Sequence, residues 1–347
     1  MADLWNDFEM LVQMPHMAPG EKLSEVEFLK QLAAWQWEAI ARALKQRPPQ
    51  LTNSQGERLY GSVIDVELHL GAGHSMEHLG EDVRVHVRNR VRFYAKKFVE
   101  GLFLIDDRPI PDAEAEAITS REDLRRRQGS WACMTNAFIA RGGSNAKLKV
   151  FRPVGVDDPD VPEMRDTPLG IVEQGRVQAS GVLEWSAPVP DAAIPLVDRR
   201  PDDRILYPIV PESDLNGASL VYFARYESMM NYGVRRFLCE HLDVPVSTEL
   251  VSYLSTEHRR AYFFANATPT DVVDVRVSAQ VLPPGSFEPH APHGSYRVPI
   301  QMLFRIDLYR RSDNMLMATS VVRAGLHVPG GAKAVLHEVE RWLRRIA

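Results

Sequence analysis

The sequence predicts an α+β protein built as a double hotdog, with two units that each wrap an antiparallel sheet around one long apolar helix. Three observations predict this. Each half of the chain carries a helical run with an apolar face, each run is followed by strand-like segments, and a proline-rich stretch separates the halves. At 347 residues the chain has room for two domains of about 150 residues, enough to form cores without disulfide or metal staples. The two sheets are free to join into one.

The first helix is expected from Leu23 to about Leu44, because Leu23, Val26, Leu29, Leu32, Trp35 and Ala39 recur at three- and four-residue steps. Ser24-Glu25 opens it and Pro48-Pro49 stops it. Arg58-Leu59-Tyr60 then starts a strand. From Asp82 to Tyr94 the chain alternates: Val83, Val85, Val87, Val91 and Phe93 share one face, and Arg84, His86, Arg88, Arg90 and Arg92 share the other. Phe138–Arg141 and Lys147–Phe151 flank Gly142-Gly143-Ser144-Asn145 and read as a long hairpin.

Residues 151–211 hold ten of the 24 prolines, with acids at Asp157, Asp158, Asp160, Glu163 and Asp166, so much of this stretch reads as a surface linker. Within it, Gly170–Ala187 has the pattern of short strands. In the second half Asp214-Leu215-Asn216-Gly217 precedes a helical run from Ala218 to about His241. Arg260-Ala261-Tyr262 reads as the counterpart of the strand start at Tyr60, and Val272–Val281 as a second alternating strand. Ile306–Arg310 and Met315–Val322 form a further hairpin, and residues 332–346 make a closing helix with arginines near its end. The expected division is residues 1–155, an N-terminal hotdog; 156–204, a linker; and 205–347, a C-terminal hotdog.

Composition narrows function. The formal charge is −5, from 41 basic and 46 acidic residues, which gives no global attraction for nucleic acid. The opening Met-Ala-Asp-Leu-Trp-Asn-Asp is acidic where a secretion signal would be basic, and no apolar run approaches the ~20 residues of a membrane span. Cys133 and Cys239 lie far apart and fit a reducing compartment. A cytoplasmic protein with no membrane partner is expected. Phosphate-loop, dinucleotide, nucleophile-elbow and zinc-protease motifs are all missing. His290-Ala-Pro-His293 has metal-like spacing but no third ligand nearby, so no metal is expected. Arg121, Arg125, Arg126 and Arg127 read either as a solvated face or as a docking spot for an acidic carrier or for coenzyme A phosphates. Trp35 and Trp37 read as core or pocket wall.

Met14-Pro15-His16-Met17-Ala18-Pro19-Gly20-Glu21-Lys22-Leu23-Ser24-Glu25, continuing to Trp35-Gln36-Trp37, together with Tyr60-Gly61-Ser62-Val63, resembles the LnmK-like bifunctional acyltransferase/decarboxylase family of polyketide biosynthesis. Asp214–Tyr226 resembles the helix entry of hotdog thioesterases. The resemblance implies an enzyme that takes methylmalonyl-CoA, passes the acyl group to an acyl carrier protein and decarboxylates it to a propionyl thioester. It implies an active-site tyrosine, and Tyr60 is the matching position.

The chemistry needs no cofactor beyond the coenzyme A thioester that is the substrate. Loss of carbon dioxide leaves an enolate, so an apolar pocket with hydrogen-bond donors suffices. Tyr60 serves either as nucleophile or as donor. His16 is a candidate proton relay, and Asn216 a candidate oxyanion donor. Ser24 and Gly217, at the two expected helix starts, are candidates for binding the thioester, as are Asn136 and Asp214. His16, Asn136 and Asp214 also have plain structural readings: a turn residue capping the helix entry, a backbone partner, and an N-cap or Asx-turn before Gly217, respectively. The alternatives are a hotdog dehydratase, isomerase or thioesterase using Asp214, Glu227 or His16 as acid and base, or a silent carrier-binding protein. Either a monomer or a homodimer fits, since one chain already holds two units.

Overall fold

The computed structural model describes residues 5–47, 51–71, 74–140, 149–164, 191–197, 204–217, 219–283, 296–329 and 331–346. Strand β1 (Asn6–Leu11) and a ribbon of β2 (Met17–Ala18) and β3 (Lys22–Leu23) lead into helix α1 (Glu25–Ala43). Ser24 caps the helix, its Oγ accepting from the Glu27 amide at 3.4 Å. Phe28, Leu29, Leu32 and Ile40 are fully buried, each worth about 1.5–3 kcal/mol of transfer free energy. The helix ends before the two prolines: Lys45 takes φ 53° and reverses the chain.

The first unit adds β4 (Leu59–His69), β5 (Arg84–Tyr94), β6 (Phe98–Asp106) and β7 (Ser130–Ala140), with short helices α2 (Asp112–Glu116) and α3 (Arg121–Arg126) before β7. The second begins with β8 (Ile194–Leu196), β9 (Ile205–Pro208) and the turn α4 (Pro211–Asp214). Helix α5 (Phe223–Arg236) runs into a π-helical segment, Phe237–His241, and α6 (Thr248–Ser252) follows. Strands β10 (Leu254–Phe263), β11 (Val272–Leu282), β12 (Tyr296–Arg310) and β13 (Met315–Val328) and helix α7 (Lys333–Ile346) complete it.

Eleven strands form one continuous sheet, in the order β1-β5-β6-β7-β4-β10-β13-β12-β11-β8, with β9 also on β11. The seam between the units is the antiparallel pair β4–β10, from His69↔His258 to Asp65↔Tyr262. The core follows this continuity: α1 residues Phe28, Leu29 and Leu32 pack in one cluster with Phe223 and Ala224 of α5. In β5 the alternation is as expected, with Val85, Val87, Val91 and Phe93 buried, and Asn89 joins them by donating to the Leu102 carbonyl.

Several expectations are corrected. Helix α5 starts at Phe223; the described residues before it, through Leu220 to Tyr222, are not helical, and the Leu215↔Val221 bridge closes them against Leu215. Residues 141–148, which hold the turn of the hairpin after Phe138, lie outside the described residues; beyond them Val150 bridges Ile139 and the Phe151 amide donates to the Phe138 carbonyl at 2.8 Å, while β12–β13 turn as expected from Arg310 to Met315. The start of the proline-rich stretch is built into the first unit, where Val156 and Val161 pack with Ile40 and Leu44. β8, also within that stretch, pairs with β11. The segment Gly170–Ala187 lies outside the described residues. Arg260-Ala261-Tyr262 does not open its strand. β4 and β10 each carry a bulge, at Ile64 and at Glu257, and counting back from these places Tyr253 as the counterpart of Tyr60.

Candidate active site

Strands β4 and β10 pair only as far as Asp65 and Tyr262, where the Ile64 bulge lets β4 part from its neighbour. Asn216, Leu220, Val221 and Tyr222, which precede α5, sit in the gap. Two adjoining cavities result, of about 270 and about 440 Å³, sharing Gly61, Val63, Asn216, Tyr222 and Phe223 as walls. The smaller is also lined by Tyr60, Asn136, Arg58 and, from α1, Trp37. Three of the sequence candidates, Tyr60, Asn136 and Asn216, thus meet at one site.

Their placements differ. Strand alternation turns Gly61 and Val63 toward α1 and Tyr60 the other way, where it packs with Ile139 and Leu220. Tyr60 therefore meets the cavity at its rim, with the Arg58 guanidinium 5.3 Å from its ring centroid. Asn136 is on the floor. Its Oδ1 accepts from Gln36 Nε2 at 2.8 Å, and its Nδ2 lies against Gly61, a wall of both cavities. Gly61 makes this approach feasible, since a Cβ there would lie 2.9 Å from Asn136 Nδ2 and 3.0 Å from Trp37 Cζ3. Gln36 itself is buried on α1 and also donates to the Met134 carbonyl at 3.2 Å. Its part escaped the sequence reading, although a glutamine one step from Trp35 on an apolar helix face was a visible signal.

Asn216 belongs to the loop rather than to a helix start. Its Oδ1 accepts from the Leu220 amide and its own amide donates to the Leu220 carbonyl at 2.8 Å. Gly217 sits exposed at the loop tip with open space around it and lines neither cavity. Asp214 is buried and committed, accepting from the Tyr207 hydroxyl, the Ser213 hydroxyl and the Val210 amide at 2.8–3.1 Å. It anchors the loop and does not cap α5. Burial, with the Asp214 charge beside it, pushes the Tyr207 phenol up to about 12. Burial likewise raises Tyr222 to about 12, so this cavity-lining phenol stays protonated.

His16 and Ser24 lie elsewhere. His16 ends a single 3-10 turn, its Nδ1 accepting from the Gln13 amide and its carbonyl accepting from Ser24. Ser24 lines a third cavity, of about 180 Å³, at the start of α1. That cavity is the counterpart of the first site in the second unit, but ion pairs fill its base. Arg259, 1% exposed, binds both oxygens of Glu25 at 2.5 and 3.0 Å and reaches Glu227 Oε2 at 2.7 Å. Burial, reinforced by Glu25, pushes the Glu227 carboxyl up to about 7 against the pull of Arg259.

The basic cluster proves to be an anchor. Arg121 binds Asp65, Glu100 and Thr135, and Arg125 binds Glu67, pinning α3 to the outer face of the sheet. Burial would raise the Glu67 carboxyl, but His258 and Arg125 outweigh it and hold it far below the usual range. The β5 arginines are likewise paired, Arg84 with Glu9, Arg88 with Asp7 and Asp112, and Arg92 with Glu100. Only Arg126 of the cluster stands well exposed. The His290–His293 pair lies outside the described residues.

A Lactobacillus plantarum protein assigned as an oleoyl thioesterase superposes with a TM-score of 0.52 at 11% identity, over 93% of this chain and 96% of that one. The fold is a double hotdog. An acyl-ACP thioesterase from Bacteroides thetaiotaomicron aligns over 92% of this chain and 97% of its own, at 10% identity and TM-score 0.49. The 12:0-ACP thioesterase from Umbellularia californica aligns over 92% and 93%, at 8% identity and TM-score 0.49. No family model matches the sequence, and no curated protein does. Among the described residues of this double hotdog, no helix is long and apolar enough to cross a membrane.

Proposed function

We propose that the chain processes acyl thioesters at the β4 cavities, as an acyltransferase/decarboxylase that takes a malonyl-type coenzyme A ester and loads the decarboxylated acyl group on an acyl carrier protein. The observation that carries this reading is the lining. Among the described residues the two cavities offer tyrosines, amides and arginines but no carboxylate, imidazole or thiol. Hydrolysis or dehydration by acid–base catalysis asks for such a group. Decarboxylation does not.

In the proposed chemistry the thioester carbonyl enters the smaller cavity and accepts from Asn136 Nδ2, on the amide that Gln36 holds in place. The substrate carboxylate enters the apolar part of the site, walled by Trp37, Val63 and Phe223. There the C–C bond breaks, carbon dioxide leaves, and the electron pair moves onto the thioester oxygen as an enolate that Asn136 stabilises. Water or a nearby phenol then protonates the carbon. For transfer, the Tyr60 hydroxyl attacks the thioester carbonyl, and the coenzyme leaves as a thiol carrying the phenolic proton. The carrier thiol then attacks the aryl ester and returns the proton to Tyr60. A rim position suits a group that two large donors must reach in turn, and Arg58 sets a positive charge there for the phosphate of either thiol arm.

Among the described residues, the acid–base candidates named for the alternatives stand away from these cavities. Asp214 is fully hydrogen-bonded, Glu227 is buried against Arg259, and His16 lines none of the cavities. Incubation with methylmalonyl-CoA and a carrier protein, followed by intact mass of both proteins, tests the proposal. Propionyl carrier is expected. Free methylmalonic acid with an unmodified carrier would replace this reading with a thioesterase.

A further inference from the structure

The loop after β4 carries a cluster that plays no part in the site above. His74 and His78 stand four residues apart on a single turn, with the Leu79 amide bonded to the Ser75 carbonyl and the His78 amide to Ser75 Oγ. Both imidazoles face Asp107, which follows the end of β6: His78 Nε2 is 2.9 Å from one carboxylate oxygen and His74 Nε2 is 3.7 Å from the other. One ligand atom from each of the three residues lies within 4.8 Å of the others.

We propose that His74, His78 and Asp107 form a zinc site. A pair of imidazole nitrogens with one carboxylate oxygen suits this borderline ion, and water would complete a four-coordinate shell. Ligand separations in such a shell run to about 3.3 Å at Zn–N and Zn–O lengths of about 2.0–2.2 Å, so small side-chain movements suffice. The outer contacts are in place as well. Ser130, fully buried, accepts from the Gly71 amide at 3.0 Å and sits 2.8 Å from His74 Nδ1. A proton on Nδ1 donated to that hydroxyl leaves the Nε2 lone pair directed at Asp107. Two cations lie nearby: Arg127, beside Asp106, is engaged by Glu114 and by the Ser130 carbonyl, and Arg108, 82% exposed, reaches Asp107 Oδ1 at 3.5 Å from the solvent side, where an ion would have to displace it.

The ion would act on structure rather than on the acyl chemistry. The same turn carries Met76, whose carbonyl accepts from the Leu23 amide at 2.8 Å and which lines the cavity at the start of α1. Tying the turn to Asp107 therefore fixes the entry to the first central helix.

The test uses the full chain stripped with chelator, incubated with zinc chloride and desalted, with zinc counted by elemental mass spectrometry and melting followed in parallel. About one zinc per chain and a raised melting temperature are expected. Asp107→Ala and His74→Gln should each lower retained zinc at least about tenfold and abolish the melting shift. His74→Gln is the more telling, because it leaves the His78–Asp107 pair intact and its fold can be checked by circular dichroism. Wild-type protein that retains no zinc would overturn the proposal. So would variants that keep wild-type zinc and melting shift, since the ion would then sit elsewhere, as on His290 and His293.

Discussion

Glu227→Gln is a direct probe of the buried charge between the two central helices. The wild-type carboxyl is fully buried and pushed from an ordinary 4.5 to about 7. A carboxyl with a raised folded-state pKa holds its proton more tightly folded than unfolded. Its contribution therefore favours the fold at acid pH and is lost as pH rises from about 4.5 to about 7. At about 1.36 kcal/mol per pH decade that interval corresponds to roughly 3 kcal/mol. The glutamine cannot ionise, so its stability should lack this decline, while Arg259 keeps Glu25 as its partner. Urea unfolding of both proteins at steps between pH 5 and 8 measures the difference, which should change by roughly 3 kcal/mol in favour of the variant as pH rises. Parallel curves across that range would refute the reasoning. So would a variant destabilised by roughly 3 kcal/mol or more at pH 8, which would mean an ionised carboxylate needed by Arg259.

Three other substitutions probe the site and its support. Tyr60→Phe should remain folded by circular dichroism yet lose self-acylation and transfer to the carrier, with intact mass as the readout. Gln36→Leu removes the bond that orients Asn136, and kcat should fall about tenfold or more with a smaller change in KM, read by steady-state carbon dioxide release. Arg121→Met leaves Asp65 and Glu100 buried without their shared partner, and unfolding titrations should show a loss of about 3–5 kcal/mol.

Much of the architecture was legible because it rests on period. The α1 face from Leu29 to Ala39, the β5 alternation and the Arg310–Met315 turn all follow from spacing that any reader of the chain can count. What the chain conceals is pairing between distant segments. The arginines around Arg121 looked solvated because their partners, Asp65, Glu67 and Glu100, lie 21 to 58 positions away. The same holds for the site. Tyr60, Asn136 and Asn216 were visible as candidates, but their meeting depends on the β4–β10 seam and on a loop whose folded form masks the start of α5. Ser24 and Asn216 seemed alike as helix openings, and only one of them is.

The bulge at Ile64 has a consequence for how the two units share their middle. Leu59 and Val63 on one side of it, and Val66 and Leu68 on the other, are all interior, so β4 changes phase by one residue there. A chain lacking Ile64 would keep every interior residue interior and simply straighten. The first five residues of β4 would then be free to pair with the chain that follows Phe263, where β10 ends, closing the mouth that the extra residue holds ajar. Such a deletion should yield a folded protein in which the two cavities are closed, and one in which they stayed open would show that the opening is wedged by Leu220 to Tyr222 instead.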